Sequence, residues 1–357
     1  MEAAYTRARE LSHTRADNAE LFPALWGLYL LYFLRGNRQA TDELEEQLFI
    51  VAQNADDPVL VAIANYARAN NLSNAGEFAP ACHYFEQSLS LYETLGRRSV
   101  FLMGEELAVQ CRAFGSLTLV PSGYPERALR WAEEAQHVAR ELRSPYDIAL
   151  ALYTAASLHQ LRREPQLTRE RAEAAIAVAT EHGISMGGPT AQLGWAQVQQ
   201  NQADDGIRQI LWGIEAASTA GFRLDYLLPI LADAYRKIGQ TDAGLGVLNK
   251  AADLLNQTGT RYYEAELYRL RGELLLIQNA TDVAKAENCF RQAIEVACKQ
   301  SARLWELRAT TSLARLLAEH GSGDEARMTL AGIYNWFTEG FELPDLKDAK
   351  ALLEELK

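Results

Sequence analysis

"LARLLAEHGSGDEARMTL", residues 313–330, reads as the end of one helix, a glycine turn and the start of a second helix. Small and apolar residues recur at helical spacing on both sides of Gly321, so the two segments face each other across the turn. Neither helix alone can bury its apolar stripe, and the hairpin must pack against something more. A counterpart lies upstream at 231–251, "LADAYRKIGQTDAGLGVLNKA", with the same Leu-Ala start, a central Gly239, an Asp three residues later and a Leu nine residues later. The two stretches stand two units apart. With the inter-helix turn as a marker, turns fall at Gly36, Gly76, Gly123, Arg163, Asn201, Gly239, Asn279 and Gly321. A helix-turn-helix unit recurring about every 40 residues predicts a solenoid, in which each unit completes its core against its neighbours.

Composition agrees with an elongated array. Of the 357 residues, 48% are hydrophobic, spread in stripes of helical period, and no apolar run is long enough to span a bilayer. Alternating apolar and polar runs, the mark of strands, are scarce. A net charge of −12 and a pI near 5.1 argue against nucleic acid, whose binding draws on clustered Lys and Arg. Cys82, Cys111, Cys289 and Cys298 form no CxxC spacing, and we expect buried free thiols instead of a disulfide framework or a zinc site. With no N-terminal signal-like segment, the expected location is the cytoplasm.

The units resemble the tetratricopeptide repeat, in which small and large residues alternate so that two antiparallel helices approach closely. Leu231, Ala232, Tyr235, Leu248 and Ala251 occupy its positions around Gly239, and "GEFAPACHYFEQSL" at 76–89 places Phe78, Ala81 and Phe85. "GYPERALRWAEEA" at 123–135 adds Pro125, suited to a first helical turn, and Glu126, suited to the positive helix end. Gly272, Ala286, Phe290 and Ala293 match in the seventh unit, with about two extra residues in its turn. Arg163 and Asn201 stand where the pattern has a turn glycine, and Gly206 and Gly244 where it has alanine. The resemblance implies an all-α fold, a right-handed superhelical solenoid of about eight tetratricopeptide-like helix hairpins. We divide the chain into residues 1–20, the second helix of a truncated preceding repeat, 21–335, eight repeats, and 336–357, a capping segment. On that reading the chain begins inside a longer array, and Leu346, Leu352, Leu353 and Leu356 cover its last apolar face.

A more particular likeness lies in "EAELYRLRGELLL" at 264–276, the stretch 286–317 and "WFTEGFELPDLKDAKALL" at 336–353. Together they are similar to the C-terminal repeat region of large bacterial signalling ATPases, often associated with adenylate/guanylate cyclase domains. This implies a cytoplasmic, non-enzymatic interaction or sensor array in signal transduction. Its partners would be a protein or peptide, or upstream ATPase and cyclase domains of a longer chain. The alternative is a small-metabolite sensor array of the kind found in ATP-dependent transcription regulators.

Searches for chemistry end without a site. No GxxxxGK[ST] loop is present, and "GISMGGPT" at 183–190 has no lysine and reads as an ordinary turn. The histidines form no HExxH or helical pair, and His159 falls on a packing position. "GEE" at 104–106 and "AEE" at 132–134 place neighbouring carboxylates on different faces of a helix. No catalytic, cofactor or metal residue is therefore assigned. In tetratricopeptide arrays the first helices line a concave groove. Carried onto this chain, those positions are Tyr66, Asn70, Tyr153, Trp195, Asp233, Arg236, Arg269, Glu273, Arg308 and Arg315, aromatic and neutral first, charged later. Aromatic and Arg side chains are those that binding hot spots favour. Tyr153 and Trp195 equally suit packing between units, and the charged pairs equally suit surface ion pairs.

Overall fold

A computed structural model describes residues 21–95, 101–102, 105–184 and 187–356. Sixteen of its helices form eight hairpins: α1 (Phe22–Arg35) with α2 (Arg38–Ala55), α3 (Pro58–Asn74) with α4 (Phe78–Thr94), α5 (Leu107–Leu119) with α6 (Pro125–Leu142), and α7 (Pro145–Leu161) with α8 (Pro165–Glu181). Then follow α9 (Gly187–Gln199) with α10 (Ala203–Thr219), α11 (Leu227–Lys237) with α12 (Thr241–Thr258), α13 (Glu264–Gln278) with α14 (Val283–Lys299), and α15 (Arg303–Glu319) with α16 (Gly323–Tyr334). A last helix, α17 (Pro344–Glu355), lies against α15 and α16, where its Leu346, Ala349 and Leu352 are buried beside Leu330 and Ile333. None of the described helices is long and apolar enough to cross a membrane. The helix expected within residues 1–20 lies outside the described residues.

The intra-hairpin turns fall where the sequence marks them. Gly36, Gly76, Gly123, Gly239 and Gly321 all have positive φ, the left-handed conformation that closes a helix end. Arg163 and Asn201 adopt the same conformation, at φ 58° and 65°, without glycine's freedom. Asn279 differs: its φ of −151° is extended, and its side chain accepts hydrogen bonds from the Thr281 backbone N–H and hydroxyl. The two additional residues of that turn are used to make this cap. Prolines open α3, α6, α7, α8 and α17, where a missing N–H leaves nothing unpaired.

Three expectations change. Glu105 and Glu106 are not helical: they pair antiparallel with Phe101 and Leu102 in a two-residue bridge, and Glu106 caps α5. Cys298 is exposed near the end of α14, while Cys111 and Cys289 are buried and Cys82 half-buried. Gly187 and Gly188 open α9 and are not part of a turn. Their smallness serves packing. A methyl group on Gly187 would lie 2.5 Å from the Gly213 carbonyl oxygen, and one on Gly206 would lie 2.5 Å from that of Gly194. The backbones of α9 and α10 therefore touch, closer than the alanine of the usual repeat permits.

The solenoid also closes on itself. Backbone N–H groups of Arg223 and Arg261, in the loops before the sixth and seventh hairpins, and of Leu304, in the first turn of the eighth, donate to the carbonyls of Leu34, Asn74 and Pro121. These acceptors end the first helices of hairpins one, two and three, so the chain meets itself five repeats on. One core cluster accordingly contains Phe78, Leu119 and Leu158 together with Leu304, Trp305 and Leu343. The tail continues the pattern: Glu339 accepts from the first N–H groups of α6, and the Gly340 N–H donates to Glu126.

The contact between α9 and α10 has a direct test. Gly206→Ala should destabilise the fold by about 1–3 kcal/mol, the usual cost of overpacking. Gly246→Ala, on an open face of α12 where a methyl meets nothing within 4 Å, should be neutral or stabilising by up to about 1 kcal/mol. Urea denaturation of the two variants distinguishes the cases.

Candidate functional site

Closure turns the concave groove into a cavity of about 330 Å³ that remains partly open to solvent. First helices supply one wall: Tyr29 and Phe33 from α1, Tyr66 and Asn70 from α3, Gln110 and Phe114 from α5, Tyr146, Tyr153 and Ser157 from α7, and Gln192 from α9. The opposite wall comes from the next superhelical turn, through Phe222, Arg223, Asp225 and Tyr226 before α11 and Tyr262 and Tyr263 before α13. Hydrogen bonds fix those loops in place. Besides the Arg223 and Arg261 backbone bonds, the Tyr262 hydroxyl donates to the Leu117 carbonyl at 2.7 Å.

The lining carries no net charge. Arg223 lies over the Phe33 ring and grips Asp225 in a two-point pair, with Nε–Oδ1 at 2.7 Å. Burial and the neighbouring Tyr226 hydroxyl hold the Tyr153 phenol well above its ordinary range, so it stays protonated. Tyr226 and Tyr262 are raised by burial in the same way. The remaining polar groups are amides and hydroxyls. Tyr66 donates to Gln110 Oε1 at 3.1 Å, Asn70 returns a bond to the Tyr66 carbonyl at 3.0 Å, and Gln192 donates to Ser157.

Beside the cavity, sharing Gln160, Leu161, Ile230 and Tyr263 with it, lies a buried ion network. It begins at Trp195, whose indole N–H donates to Asp233 at 2.7 Å. Asp233 pairs with Arg236 at 2.8 Å, Arg236 with Glu273 at 3.3 Å, and Glu273 with Arg269 at 2.5 Å. Arg269 pairs with Glu266 at 2.8 Å, Glu266 with Arg308 at 3.6 Å, and Arg308 with Asp345 at 2.7 Å. Asp345 finally meets Arg163 at 2.9 Å. Four guanidiniums and four carboxylates thus cancel. Burial alone would raise the carboxyls, but the surrounding arginines win: Asp233 and Asp345 are held below their ordinary range and Glu273 falls to about 2.

The residues drawn from the repeat pattern divide between these two places. Tyr66, Asn70 and Tyr153 line the cavity. Trp195, Asp233, Arg236, Arg269, Glu273 and Arg308 belong to the ion network, with Trp195, Arg269 and Arg308 at 2%, 2% and 7% exposure and their charges already matched. Arg315 stands apart on the surface, 3.4 Å from Asp348. Sequence reading missed Gln110, Gln192, the loop residues 222–226 and 262–263, and the network members Arg163, Glu266 and Asp345. The loops join the site from five repeats away, and no position within a repeat marks them.

No protein-family model matches the chain, and no curated protein matches it in sequence. Among solved structures it is similar to a Rap protein complexed with competence and sporulation factor, at 11% identity and a TM-score of 0.60, covering 92% of this chain and 96% of that one. It is also similar to NprR in complex with its cognate peptide NprX, at 14% identity and a TM-score of 0.52, covering 82% of each chain. A human IFIT1 dimer with m7Gppp-AAAA has 18% identity and a TM-score of 0.51, covering 93% of this chain and 71% of that one. At such identities the likeness is one of fold: a tetratricopeptide-like helical solenoid.

Two substitutions test the energetic reading. Trp195→Ala should cost roughly 3–5 kcal/mol by opening a cavity, whereas Tyr153→Phe, which keeps the ring, should stay within about 1 kcal/mol. Glu273 has an ordinary pKa of 4.5 and a folded value of about 2. Its stabilising effect is therefore complete above about pH 5 and lost as pH falls toward 2, on the order of 3 kcal/mol. Melting curves across that window should fall more steeply for the parent protein than for Glu273→Gln; parallel curves would refute the assignment.

Proposed function

We propose that the chain is a non-enzymatic regulatory sensor module that takes its signal, a small ligand or a short segment of peptide, into the cavity enclosed by the superhelix. The observation that carries this reading is the cavity itself: about 330 Å³, within the range of small-ligand sites, walled by aromatic rings and a few amides. Its walls come from two superhelical turns, so an occupant touches both and favours their closure. A ligand shifts a conformational equilibrium only through such differential contact.

NprR, a protein of similar fold, is solved in complex with its cognate peptide NprX, which supports a peptide as one source of the signal. A capped RNA, as carried by IFIT1, suits this cavity poorly, because the charged pair on its wall, Arg223 with Asp225, is already neutralised. The same neutral lining supports binding over catalysis. The resemblance of 264–276, 286–317 and 336–353 to the repeat region of signalling ATPases supports a cytoplasmic setting. The outputs would be ATPase or cyclase domains of a longer chain.

A thermal-shift screen of uncharged metabolites and short peptides tests this. A ligand present at about 100 times its Kd should stabilise the parent protein by roughly 2.7 kcal/mol, and so raise its Tm by a few degrees. Ser157→Trp, which fills the cavity, should abolish the shift. A full panel producing no shift that Ser157→Trp removes would overturn the proposal.

A further inference from the structure

Two glutamines on the cavity wall are each left with one unsatisfied atom. Gln110 is 4% exposed and Gln192 1%. Gln110 Oε1 accepts from Tyr66, but its Nε2 has no partner; Gln192 Nε2 donates to Ser157, but its Oε1 has none. Turning either side-chain amide exchanges which atom is left over without reducing the number. Buried amide atoms are nearly always paired, since leaving one unmade forfeits its hydration. Both residues line the same cavity, on α5 and α9, with α7 between them.

We infer that the cavity selects an uncharged ligand bearing an amide flanked by apolar groups, whose donor and acceptor complete the hydrogen bonding of Gln110 and Gln192. The inference rests on the reading of the cavity as the sensor site. An amide supplies a donor and an acceptor together, which matches one free Nε2 and one free Oε1. The rings of Tyr29, Tyr66, Phe114 and Tyr153 suit apolar flanks. A carboxylate or ammonium would enter without a counter-ion, because Arg223 and Asp225 are engaged with each other and the phenols are held neutral. Size narrows the class further. A cavity of about 150 Å³ holds benzene, so 330 Å³ holds on the order of twice as many non-hydrogen atoms. A single amino-acid residue capped by amides at both ends has that size and chemistry. It can arrive as a free small molecule or as an internal residue of a peptide.

The experiment is displacement of the uncharged two-ring dye 1-aminonaphthalene, which is of the size the cavity holds, from the full chain. The competitors are N-acetyl-phenylalanine amide, its two singly charged relatives N-acetyl-phenylalanine and phenylalanine amide, and an end-blocked tetrapeptide with an internal Phe. The doubly capped amide should compete at least about tenfold better than either charged relative. Gln110→Leu and Gln192→Leu should each remove most of that advantage, read within each variant as the ratio of the capped amide's competition to that of its charged relatives, so that any change in dye affinity cancels. Equal or better competition by the tetrapeptide identifies a peptide source, and competition by the single residue alone identifies a small molecule. If the charged relatives compete as well, if the capped amide fails at millimolar concentration, or if the glutamine variants change nothing, the ligand class is wrong. Dye binding that Ser157→Trp still abolishes would then leave the sensor site standing; dye binding indifferent to Ser157→Trp would overturn both.

Discussion

The Asp345 carboxylate is pressed between Arg308 of its own superhelical turn and Arg163 of the turn before, and on that contact the closed form of the molecule depends. Removing two charges from water is costly, and a buried ion pair is poor evidence of net stability. What it supplies is position. Arg308 also donates to the Leu161 carbonyl, so a single side chain joins the end of α7, the body of α15 and the start of α17. The backbone hydrogen bonds from Arg223, Arg261 and Leu304 repeat the same constraint without charge, one for each successive pair of turns.

Closure changes what kind of solenoid this is. In an open repeat array each unit touches its neighbours only, and stability adds up along a line. Here hairpins one, two and three also touch the starts of hairpins six, seven and eight, so the loss of one unit is felt five repeats away. The cavity exists for the same reason. An open groove offers a ligand one wall and much water; the loops at 222–226 and 262–263 bring a second wall across it. Those loops carry four tyrosine or phenylalanine rings but one charged pair, which keeps the lining mostly apolar and without net charge.

The hairpins were legible in the sequence because their turns obey local chemistry. A left-handed residue ends seven of the eight first helices, and glycine marks five of those positions. Arg163 and Asn201 were found by spacing alone, and for Arg163 the structure supplies a reason: its side chain is needed at Asp345. The concave faces of α3 and α7 were legible too, since Tyr66, Asn70 and Tyr153 follow from repeat position. The charged face of α11, α13 and α15 was not. Arg236, Arg269, Glu273 and Arg308 have the spacing of surface ion pairs, and sequence does not reveal that other elements bury them. Gly206 was visible as a departure from the pattern, but its meaning, a backbone contact with Gly194, needed both helices in place.

The cavity and the ion network share Leu161 and Tyr263, and under the proposed function that sharing would connect binding to closure. Leu161 presents its side chain to the cavity and its carbonyl to Arg308, whose other bonds hold Asp345. Tyr263 sits between the Tyr262 ring on one side and Trp305, beneath Arg308, on the other. An occupant pressing on these two residues therefore acts on the same contacts that clamp the last hairpin and its cap. A ligand held only by α3 and α5 would leave those contacts untouched and would have no means of favouring the closed form. On the proposed reading, the wall contributed by the second superhelical turn would give occupancy a conformational consequence, and the uncompensated amides of Gln110 and Gln192 would give it selectivity.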